Sequence, residues 1–355
     1  VLCVSALTGC GGIDANETAA TLGEQTISLG IANFMCKYQK AEMDDSYTSF
    51  LGEDVWSMDL YGNGTTLEDD LKNSTMEYLH EMYTLKAHME EYNISITEEE
   101  QKKITEAASA FLAANSAEAI EELGATQELV EELLSLYTIQ WKMYEVMTVD
   151  TNREVSDEEA NMRGYSMVSI GIAGEYDDSG NYTEYTDTKV AEIKATAKKM
   201  EEALQQKDLN TVAEEYNYTV NDGAYAKDDT TFEEAVLEAM NNLKEGEVSK
   251  MIETESAIYF VRIDEECDEE ATEAHREEII ADREYEVYTE KLTEMQKDDG
   301  WTVNESVVDK IDFHNLFTQV KESTESTEST ENKQDTQNTE STQNTESTNQ
   351  STEGE

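Results

Sequence analysis

The segment Leu243-Lys-Glu-Gly-Glu-Val-Ser249, with Ala257-Ile-Tyr-Phe-Val-Arg-Ile263 shortly after it, carries the strongest structural signal in this chain. A turn centred on glycine is followed by two runs rich in β-branched and aromatic residues, and such runs predict strands. We therefore expect closing strands at Val248–Glu253 and Ala257–Ile263. In front of the turn, the spacing of Thr231 and Glu234 predicts a capping box that opens a helix.

Upstream of this segment, the sequence pattern predicts one strand and two more helices. Tyr165–Ala173 is rich in apolar and β-branched residues and predicts a strand, and a polar loop is expected from Gly174 to Asp187. Helices are expected at Lys189–Gln206 and Leu209–Tyr216. One strand, three helices and two strands over about a hundred residues predict a small α/β domain around an antiparallel sheet.

The segments on both sides of this domain have helical patterns. Ala20–Leu29 predicts a short strand, a glycine turn and a second strand that leads into a helix near 31–47. Apolar residues at helical spacing predict long helices around Leu71–Met89 and Val130–Tyr144, and a capping box at Thr97 and Glu100 opens another between them. An acidic helix is expected at 270–298. The sequence therefore predicts an α+β fold.

The charge of the chain restricts its partners. There are 25 Lys and Arg against 81 Asp and Glu, which gives a formal net charge of −56. Such a surface repels a phosphate backbone, so nucleic acid is excluded as a partner. No cysteine or histidine cluster has zinc-ligand spacing, and neither a metal nor another cofactor is expected. Asp177-Asp-Ser-Gly-Asn181 lacks the spacing of an EF-hand loop and is interpreted as a solvated turn.

Two segments near the ends of the sequence predict an anchor and a tail. Leu7-Thr-Gly-Cys10 follows an apolar run and resembles a bacterial lipobox, in which the cysteine receives a diacylglycerol. Residues 1–10 are therefore expected to be part of a lipoprotein signal peptide, with lipid on Cys10. Residues 321–355 are Ser-Thr-Glu repeats without an aliphatic or aromatic side chain, and they are predicted to be disordered. Cys36 and Cys267 would remain as free thiols.

The central segment resembles the parvulin family of prolyl isomerases. Phe232-Glu-Glu-Ala235, followed by Leu243–Ser249, is similar to the Phe-x-x-Ala helix and the Leu-Lys-x-Gly-Glu-Val-Ser turn of that family. Leu209–Tyr216 is similar to its Phe-x-x-Leu-Ala-x-x-Tyr helix. The helical segments around it resemble the split chaperone domain of SurA/PrsA-type foldases, so the resemblance covers roughly Thr18–Phe313.

This resemblance implies a domain arrangement. A helical chaperone domain would begin at 18–155 and be completed by a returning helix at 270–316. A parvulin-like domain, a small antiparallel sheet with helices, would be inserted at 160–266. A lipid anchor on Cys10 fits the Gram-positive, PrsA-like branch of these foldases.

The resemblance also implies the positions of a peptide site. Parvulins usually carry one histidine in the first strand and another in the last, where this chain has Ser169 and Tyr259. Asp222 stands at a third family position, which is Cys or Asp. Three apolar side chains are expected to contact the peptide: Phe232, Met240 and Ile258. Hydroxyls cannot reproduce a pair of imidazoles, so isomerase activity is expected to be weak or lost.

The sequence therefore predicts a lipid-anchored chaperone on the extracytoplasmic face of a bacterial, Gram-positive-type cell membrane, with unfolded or newly secreted polypeptides as partners. The 14 methionines, which are flexible and polarizable, are expected to line a cleft between the two domains. Two alternatives stay open. One is an active prolyl isomerase on the same scaffold, and the other is a surface lipoprotein that binds a small solute, although no doubly wound βαβ pattern supports the latter.

Overall fold

A β-hairpin precedes the first helix, as the glycine turn predicts. In the computed structural model, β1 (Thr18–Leu22) and β2 (Gln25–Ser28) pair antiparallel. Gly23 between them has φ +56°, a left-handed conformation that glycine adopts without strain. The Ser28 hydroxyl accepts a hydrogen bond from the Ile31 N–H and so caps α1, which spans Leu29–Leu51.

The structure describes residues 13–176 and 180–313. Three predicted features therefore lie outside the described residues: the lipobox with Cys10, residues 177–179 of the predicted solvated turn, and the whole predicted tail. The structure tests none of these three predictions. All described residues belong to one unit, Val1–Phe317, and a second unit, Thr318–Glu355, lies outside them.

Helices make up the rest of the N-terminal half. They are α2 (Leu67–His88), α3 (Glu98–Ala114), α4 (Ala117–Leu123), α5 (Gln127–Met147) and the short α6 (Asp157–Ala160). The capping box at Thr97 and Glu100 is confirmed, and Gly124 ends α4 with φ 64°. The apolar faces of α1, α2 and α5 pack with the β-hairpin into one core.

The following segment is built on a four-stranded antiparallel sheet. In chain order its elements are β3 (Arg163–Gly171), a hairpin of β4 (Gly174–Tyr176) and β5 (Tyr182–Glu184), α7 (Asp187–Ala203), α8 (Leu209–Glu215), β6 (Asn221–Tyr225), α9 (Glu234–Asn242), β7 (Ile252–Glu253) and β8 (Ala257–Glu265). The strand order in the sheet is β6-β3-β8-β7. The central pair, β3 and β8, matches the two strands that the sequence predicts most strongly.

Strand alternation gives this sheet two apolar faces. Val168, Ile170 and Phe260 point to one face and pack against α7 and α8. Met167 and Val261 point to the other face and pack against α9. Because both faces are covered in part, β3 and β8 carry apolar side chains on both faces of the sheet.

The chain then returns to the N-terminal half. Its last described elements are α10 (Glu269–Gln296), β9 (Trp301–Val303) and α11 (Glu305–Val308). Tyr288 and Leu292 of α10 pack with Leu85 of α2 and Met143 of α5. β9 pairs antiparallel with β1, so the three strands form a sheet of order β2-β1-β9. The predicted α+β fold with a returning helix is confirmed.

Three predicted elements differ in the structure. The segment predicted as a loop from Gly174 to Asp187 contains the β4–β5 hairpin. Asn221–Tyr225, which has a turn-like composition, is strand β6 because it pairs along β3. The predicted strand Val248–Glu253 is reduced to the two residues of β7 and one isolated bridge, between Val248 and Arg262.

The capping box predicted at Thr231 does not form. The Thr231 hydroxyl donates instead to Asp229 Oδ1 at 2.6 Å, within the loop that precedes the helix. α9 begins at Glu234, with Glu233 as its N-cap residue. Phe232 therefore lies in front of the helix and not on it.

Most methionines belong to the cores. Eight are buried: Met35, Met76, Met82, Met143, Met147, Met167, Met200 and Met240. These side chains fill space between packed helices and strands, so they are not available to an outside chain. The predicted methionine-rich cleft is corrected accordingly.

The two described cysteines are free thiols, as predicted. Cys36 is buried and Cys267 is exposed. Burial raises the pKa of the Cys36 thiol to about 11, so this group stays protonated at neutral pH. Within residues 13–176 and 180–313, no helix combines the length and the apolar character needed to span a bilayer.

Candidate functional site

The register of β3 and β8 brings Ser169 and Tyr259 together. They are direct cross-strand partners, so both side chains point to the same face of the sheet. Met167 pairs with Val261 on this face, and Tyr165 pairs with Ile263. We call this face, which carries Tyr165, Met167, Ser169 and Tyr259, the site face. Ser169 is exposed and Tyr259 is half-buried.

Three aromatic rings form one end of the site face. The Phe232 ring lies 5.6 Å from that of Tyr165 and 6.1 Å from that of Tyr225, and all three pairs meet edge to face. Edge-to-face contact aligns the positive rim of one ring with the negative face of the next, which fixes their orientation. Tyr225 is fully buried, whereas Tyr165 and Phe232 are half-buried and remain accessible in part.

A glycine makes room for this arrangement. A Cβ atom at Gly223 of β6 would lie 2.8 Å from the hydroxyl oxygen of Tyr165, which is closer than such atoms approach in proteins. Gly223 therefore allows the Tyr165 ring to lie across β6. Burial, together with the nearby Asp229 carboxylate, raises the pKa of the Tyr165 hydroxyl.

A carboxylate at the start of α9 holds the hydroxyl groups near Ser169. Tyr259 Oη donates to Glu233 Oε1 at 3.3 Å, and Ser256 Oγ donates to the same oxygen at 3.0 Å. Glu233 is itself exposed. The polar rim of the site is therefore made of hydroxyls and one carboxylate.

The floor of the site is fixed by a buried arginine. Val236 and Met240 of α9 pack against Val261 beneath the aromatic rings. Arg163, at the start of β3, is 2% exposed and donates to the carbonyl oxygens of Met240 at 2.9 Å and Leu243 at 2.7 Å. Both acceptors lie at the C-terminal end of α9, where carbonyl oxygens lose their regular helical partners, and the Met240 oxygen also accepts from the Leu243 N–H at 3.2 Å. The guanidinium also donates to Tyr225 Oη at 2.7 Å and pairs with Glu266 at 2.9 Å.

The structure separates two predicted site residues from this face. Ile258 is fully buried and points to the opposite face, where it packs with the core beneath α7 and α8. Asp222 pairs with Ser166, whose hydroxyl donates to Asp222 Oδ1 at 2.7 Å on that opposite face. Both side chains therefore lie on the face opposite Ser169 and Tyr259, and their roles in the peptide site stay predictions.

The other two predicted peptide contacts lie on the site face in different environments. Phe232 is half-buried and partly accessible, as a contact residue must be. Met240 is fully buried and supports the floor, so it shapes the site without an exposed surface of its own. The sequence did not indicate Tyr165, Tyr225 or Glu233. Side chains two residues apart in a strand point to the same face, so the spacing of Ser169, Met167 and Tyr165 could have placed Tyr165 on the site face.

The chemistry available on the site face is limited. Its groups are apolar rings, hydroxyls and a carboxylate, and the three histidines within the described ranges lie on α2 and α10: His80, His88 and His275. In the same ranges no group of three or more His, Cys, Asp or Glu side chains is arranged to hold a metal ion. The face can hold an apolar ring and donate hydrogen bonds, and it presents no imidazole.

Comparison with a family model identifies the domain. Residues 175–275 match the model of the PPIC-type peptidylprolyl isomerase (PPIase) domain. The chain contains a parvulin-type domain. The matched range includes Phe232, Glu233 and Tyr259 of the site face, and it starts after β3, so Ser169 lies outside it. No curated protein matches the chain.

Several solved structures are similar to a large part of this chain at low identity. The foldase protein PrsA from Lactococcus lactis is 13% identical, with 82% of this chain and 96% of that chain covered and a TM-score of 0.31. The peptidylprolyl isomerase PrsA from Bacillus cereus is 14% identical, with 71% and 96% covered and a TM-score of 0.32. A SurA-like chaperone of Campylobacter jejuni is 11% identical, with 81% and 99% covered and a TM-score of 0.28.

Proposed function

We propose that this protein is an extracytoplasmic folding factor that binds unfolded or newly secreted polypeptides, and that its isomerase activity is weak or lost. The observation that carries the proposal is the site face of the parvulin-type domain. It keeps a partly accessible aromatic wall at Tyr165 and Phe232, while hydroxyls occupy the positions of both family histidines. Apolar contact area is enough for binding, whereas catalysis needs groups placed at the twisted amide.

The proposed arrangement of the chain follows the sequence resemblance. The parvulin-type domain at 160–266 is inserted between the helical chaperone segments 18–155 and 270–316. In support, α10 packs against α2 and α5, and β9 pairs with β1. The foldase and chaperone roles printed for the PrsA and SurA-like structures are consistent with this proposal.

A second candidate, an active isomerase on the same scaffold, has one observation in its favour. The Glu233 carboxylate holds the Tyr259 hydroxyl at the rim of the site face, opposite Ser169. A hydroxyl held in this way can accept a hydrogen bond from a peptide N–H, and it can donate to a peptide carbonyl when it exchanges its bond to Glu233 for that contact. This geometry supplies one hydroxyl, whereas the family pattern supplies two imidazoles.

Suppression of aggregation tests the leading proposal. We expect the full chain with Cys10→Ser, purified without lipid, to keep a chemically unfolded protein soluble at near-stoichiometric ratios, as measured by light scattering. Phe232→Ala should weaken this effect because it removes an accessible part of the aromatic wall. Tyr285→Ala, a change at an exposed aromatic ring on α10, is the matched control. If the chain leaves aggregation unchanged at every ratio, the folding-factor proposal is wrong.

Lipid attachment at Cys10 is the second part of the proposal. The motivating observation is the lipobox-like sequence Leu7-Thr-Gly-Cys10. In a Gram-positive host, the precursor should fractionate with membranes, and Cys10→Ala should release it into the medium because the acyl chains are then missing. Cys36→Ala, at a buried thiol, is the control and should stay with the membranes. A Cys10→Ala variant that still needs detergent for extraction would contradict the anchor.

A further inference from the structure

A group of exposed aromatic rings lies on α1 and α5 of the helical part of the protein. Trp141 of α5 is 61% exposed, and Tyr137, one turn before it, is 39% exposed. Tyr38 of α1 is 37% exposed. Tryptophan side chains are mostly buried in folded proteins, so an exposed one with aromatic neighbours indicates a surface that contacts something else.

These rings form one continuous surface. The Tyr137 ring lies 6.2 Å from that of Tyr78 on α2, and the Tyr38 ring lies 6.4 Å from that of Phe111 on α3. Trp141 and Tyr137 are neighbours on the same face of α5 because they are four residues apart. We call this set, Tyr38, Tyr78, Phe111, Tyr137 and Trp141, the aromatic surface.

The packing of α1, α2 and α5 around one core brings these groups near one another, and the electrostatic environment of Tyr137 agrees with this arrangement. Burial, and then the charges of Tyr78, Glu42 and Tyr38, raise the pKa of the Tyr137 hydroxyl to about 12. Tyr137 and Tyr38 are therefore close enough to interact electrostatically. The aromatic surface therefore contains two neighbouring ring pairs. One pair is Tyr78 of α2 with Tyr137 of α5, and the other is Tyr38 of α1 with Phe111 of α3.

The rim of the aromatic surface is acidic. Glu42, beside Tyr38, and Glu145, one turn after Trp141, are both exposed. The nearby lysines are already neutralised, since Lys37 pairs with Glu122, and Lys142 pairs with Glu100 at 2.9 Å. The surface thus combines exposed rings with uncompensated negative charge, and this combination attracts cationic apolar segments.

We propose that the aromatic surface binds extended segments of unfolded polypeptides in which aromatic or aliphatic residues alternate with Lys or Arg. This assignment rests on the proposed folding-factor function and names its class of client. The apolar residues would pack on Tyr137 and Trp141, while the cations would lie over ring faces or beside Glu42 and Glu145.

Two other occupants fit the surface poorly. The segment 321–355 of the same chain has no aliphatic or aromatic side chain and is rich in glutamate, so it offers neither apolar contact nor opposite charge. A second copy would bring another chain with a formal net charge of −56. Repulsion between two such chains opposes their association through an acidic surface.

Tryptophan fluorescence of the full chain can test the proposal directly. Trp56 is 6% exposed and donates to Asp44, and Trp301 is stacked on His80 at 4.5 Å, so Trp141 is the reporter that a ligand can cover. Three synthetic peptides serve as probes: one alternates Phe with Lys, one alternates Phe with Glu, and one alternates Ser with Lys. We expect the Phe/Lys peptide to shift Trp emission to shorter wavelength and to bind at least about tenfold more tightly than the other two.

Variants separate the surface from the rest of the molecule. Trp141→Phe should abolish the emission shift, and Tyr137→Ser combined with Trp141→Ser should weaken binding of the Phe/Lys peptide at least about tenfold, measured by anisotropy of a labelled peptide. Both variants should melt as the wild type does, because the rings are exposed. Tyr285→Ser, at 63% exposure on α10, should bind the peptide normally.

The alternative results would overturn the proposal. Equal affinity for the Phe/Glu peptide would show that charge does not select the client. A blue shift that grows with protein concentration alone would assign the surface to a second copy, and a red shift on deletion of residues 321–355 would assign it to the tail.

Two further results separate the surface from the proposed function. If the double serine variant suppresses aggregation and binds the Phe/Lys peptide as well as the wild type, the aromatic surface does not bind clients, and the folding-factor proposal is unaffected. Peptide binding without any suppression of aggregation would leave the surface assigned and the folding-factor function wrong.

Discussion

Replacing Arg163 with methionine should lower the free energy of unfolding by about 3–5 kcal/mol. The Arg163 side chain is 2% exposed, and its loss removes the donor to the Leu243 carbonyl oxygen and to the buried Tyr225 hydroxyl. The Met240 carbonyl oxygen loses one of its donors and keeps the Leu243 N–H at 3.2 Å. Methionine fills much of the same volume but donates no hydrogen bond. Urea unfolding followed by circular dichroism measures the change.

The matched control for this prediction is Arg153→Met. Arg153 also contacts one carboxylate and two backbone carbonyls, but its side chain is 46% exposed. Water replaces the lost donor there, so we expect a loss of less than about 1 kcal/mol. If Arg163→Met were as mild as Arg153→Met, the buried guanidinium would not be what fixes α9. Because α9 supplies the floor of the site face, Arg163→Met should also weaken the suppression of aggregation.

Prolyl isomerisation should be accelerated little or not at all by the wild-type chain. Loss of one electrostatic contact to a transition state costs on the order of 3 kcal/mol, about a hundredfold in rate, and both imidazole positions carry other side chains here. A protease-free assay on an Xaa-Pro tetrapeptide measures the rate. In the same preparation, aggregation of an unfolded client should be suppressed, so that binding and catalysis are separated.

Two sets of variants sharpen this test. Ser169→His combined with Tyr259→His should raise kcat/KM at least about tenfold, since the two positions are cross-strand partners on the site face. Tyr259→Phe, which removes only the hydroxyl, should leave the low wild-type rate unchanged. A fast wild-type rate that Tyr259→Phe or Ser169→Ala abolishes would support the active isomerase and contradict our proposal of weak or lost activity.

The elements that the sequence predicts well are those with local signals. The capping box at Thr97 and Glu100 and the glycine end of α4 depend only on residues within one or two turns. β6 could not be predicted in this way, because Asn221-Asp-Gly favours a turn and becomes a strand only through its pairing with β3. At Thr231, the hydroxyl and the backbone N–H both donate to Asp229 Oδ1, at 2.6 and 2.8 Å, and this local turn forms in place of the capping box.

The candidate site was predictable where motif spacing and strand alternation agree. The sequence resemblance aligned Ser169 and Tyr259 with the two histidine positions of the family, and the strand register places these two residues opposite each other. Alternation alone would have put Ile258 on the other face from Tyr259. Asp222 could not be placed without knowledge of β6. The aromatic surface depends on four helices, α1, α2, α3 and α5, that are distant in sequence, so no local pattern indicates it.

The pairing of β1 with β9 has a consequence for the order in which the molecule can form. Ala20 lies opposite Val303, so this contact joins residues separated by nearly the whole described chain. The sheet of β3, β6, β7 and β8 closes within a much shorter segment, and its loop-closure entropy is correspondingly smaller. During synthesis from the N-terminus, the apolar side of β1 and α1 would lack its last partner until Val303 emerges. For that interval, the chain presents the same kind of incomplete surface that we propose it recognises in others.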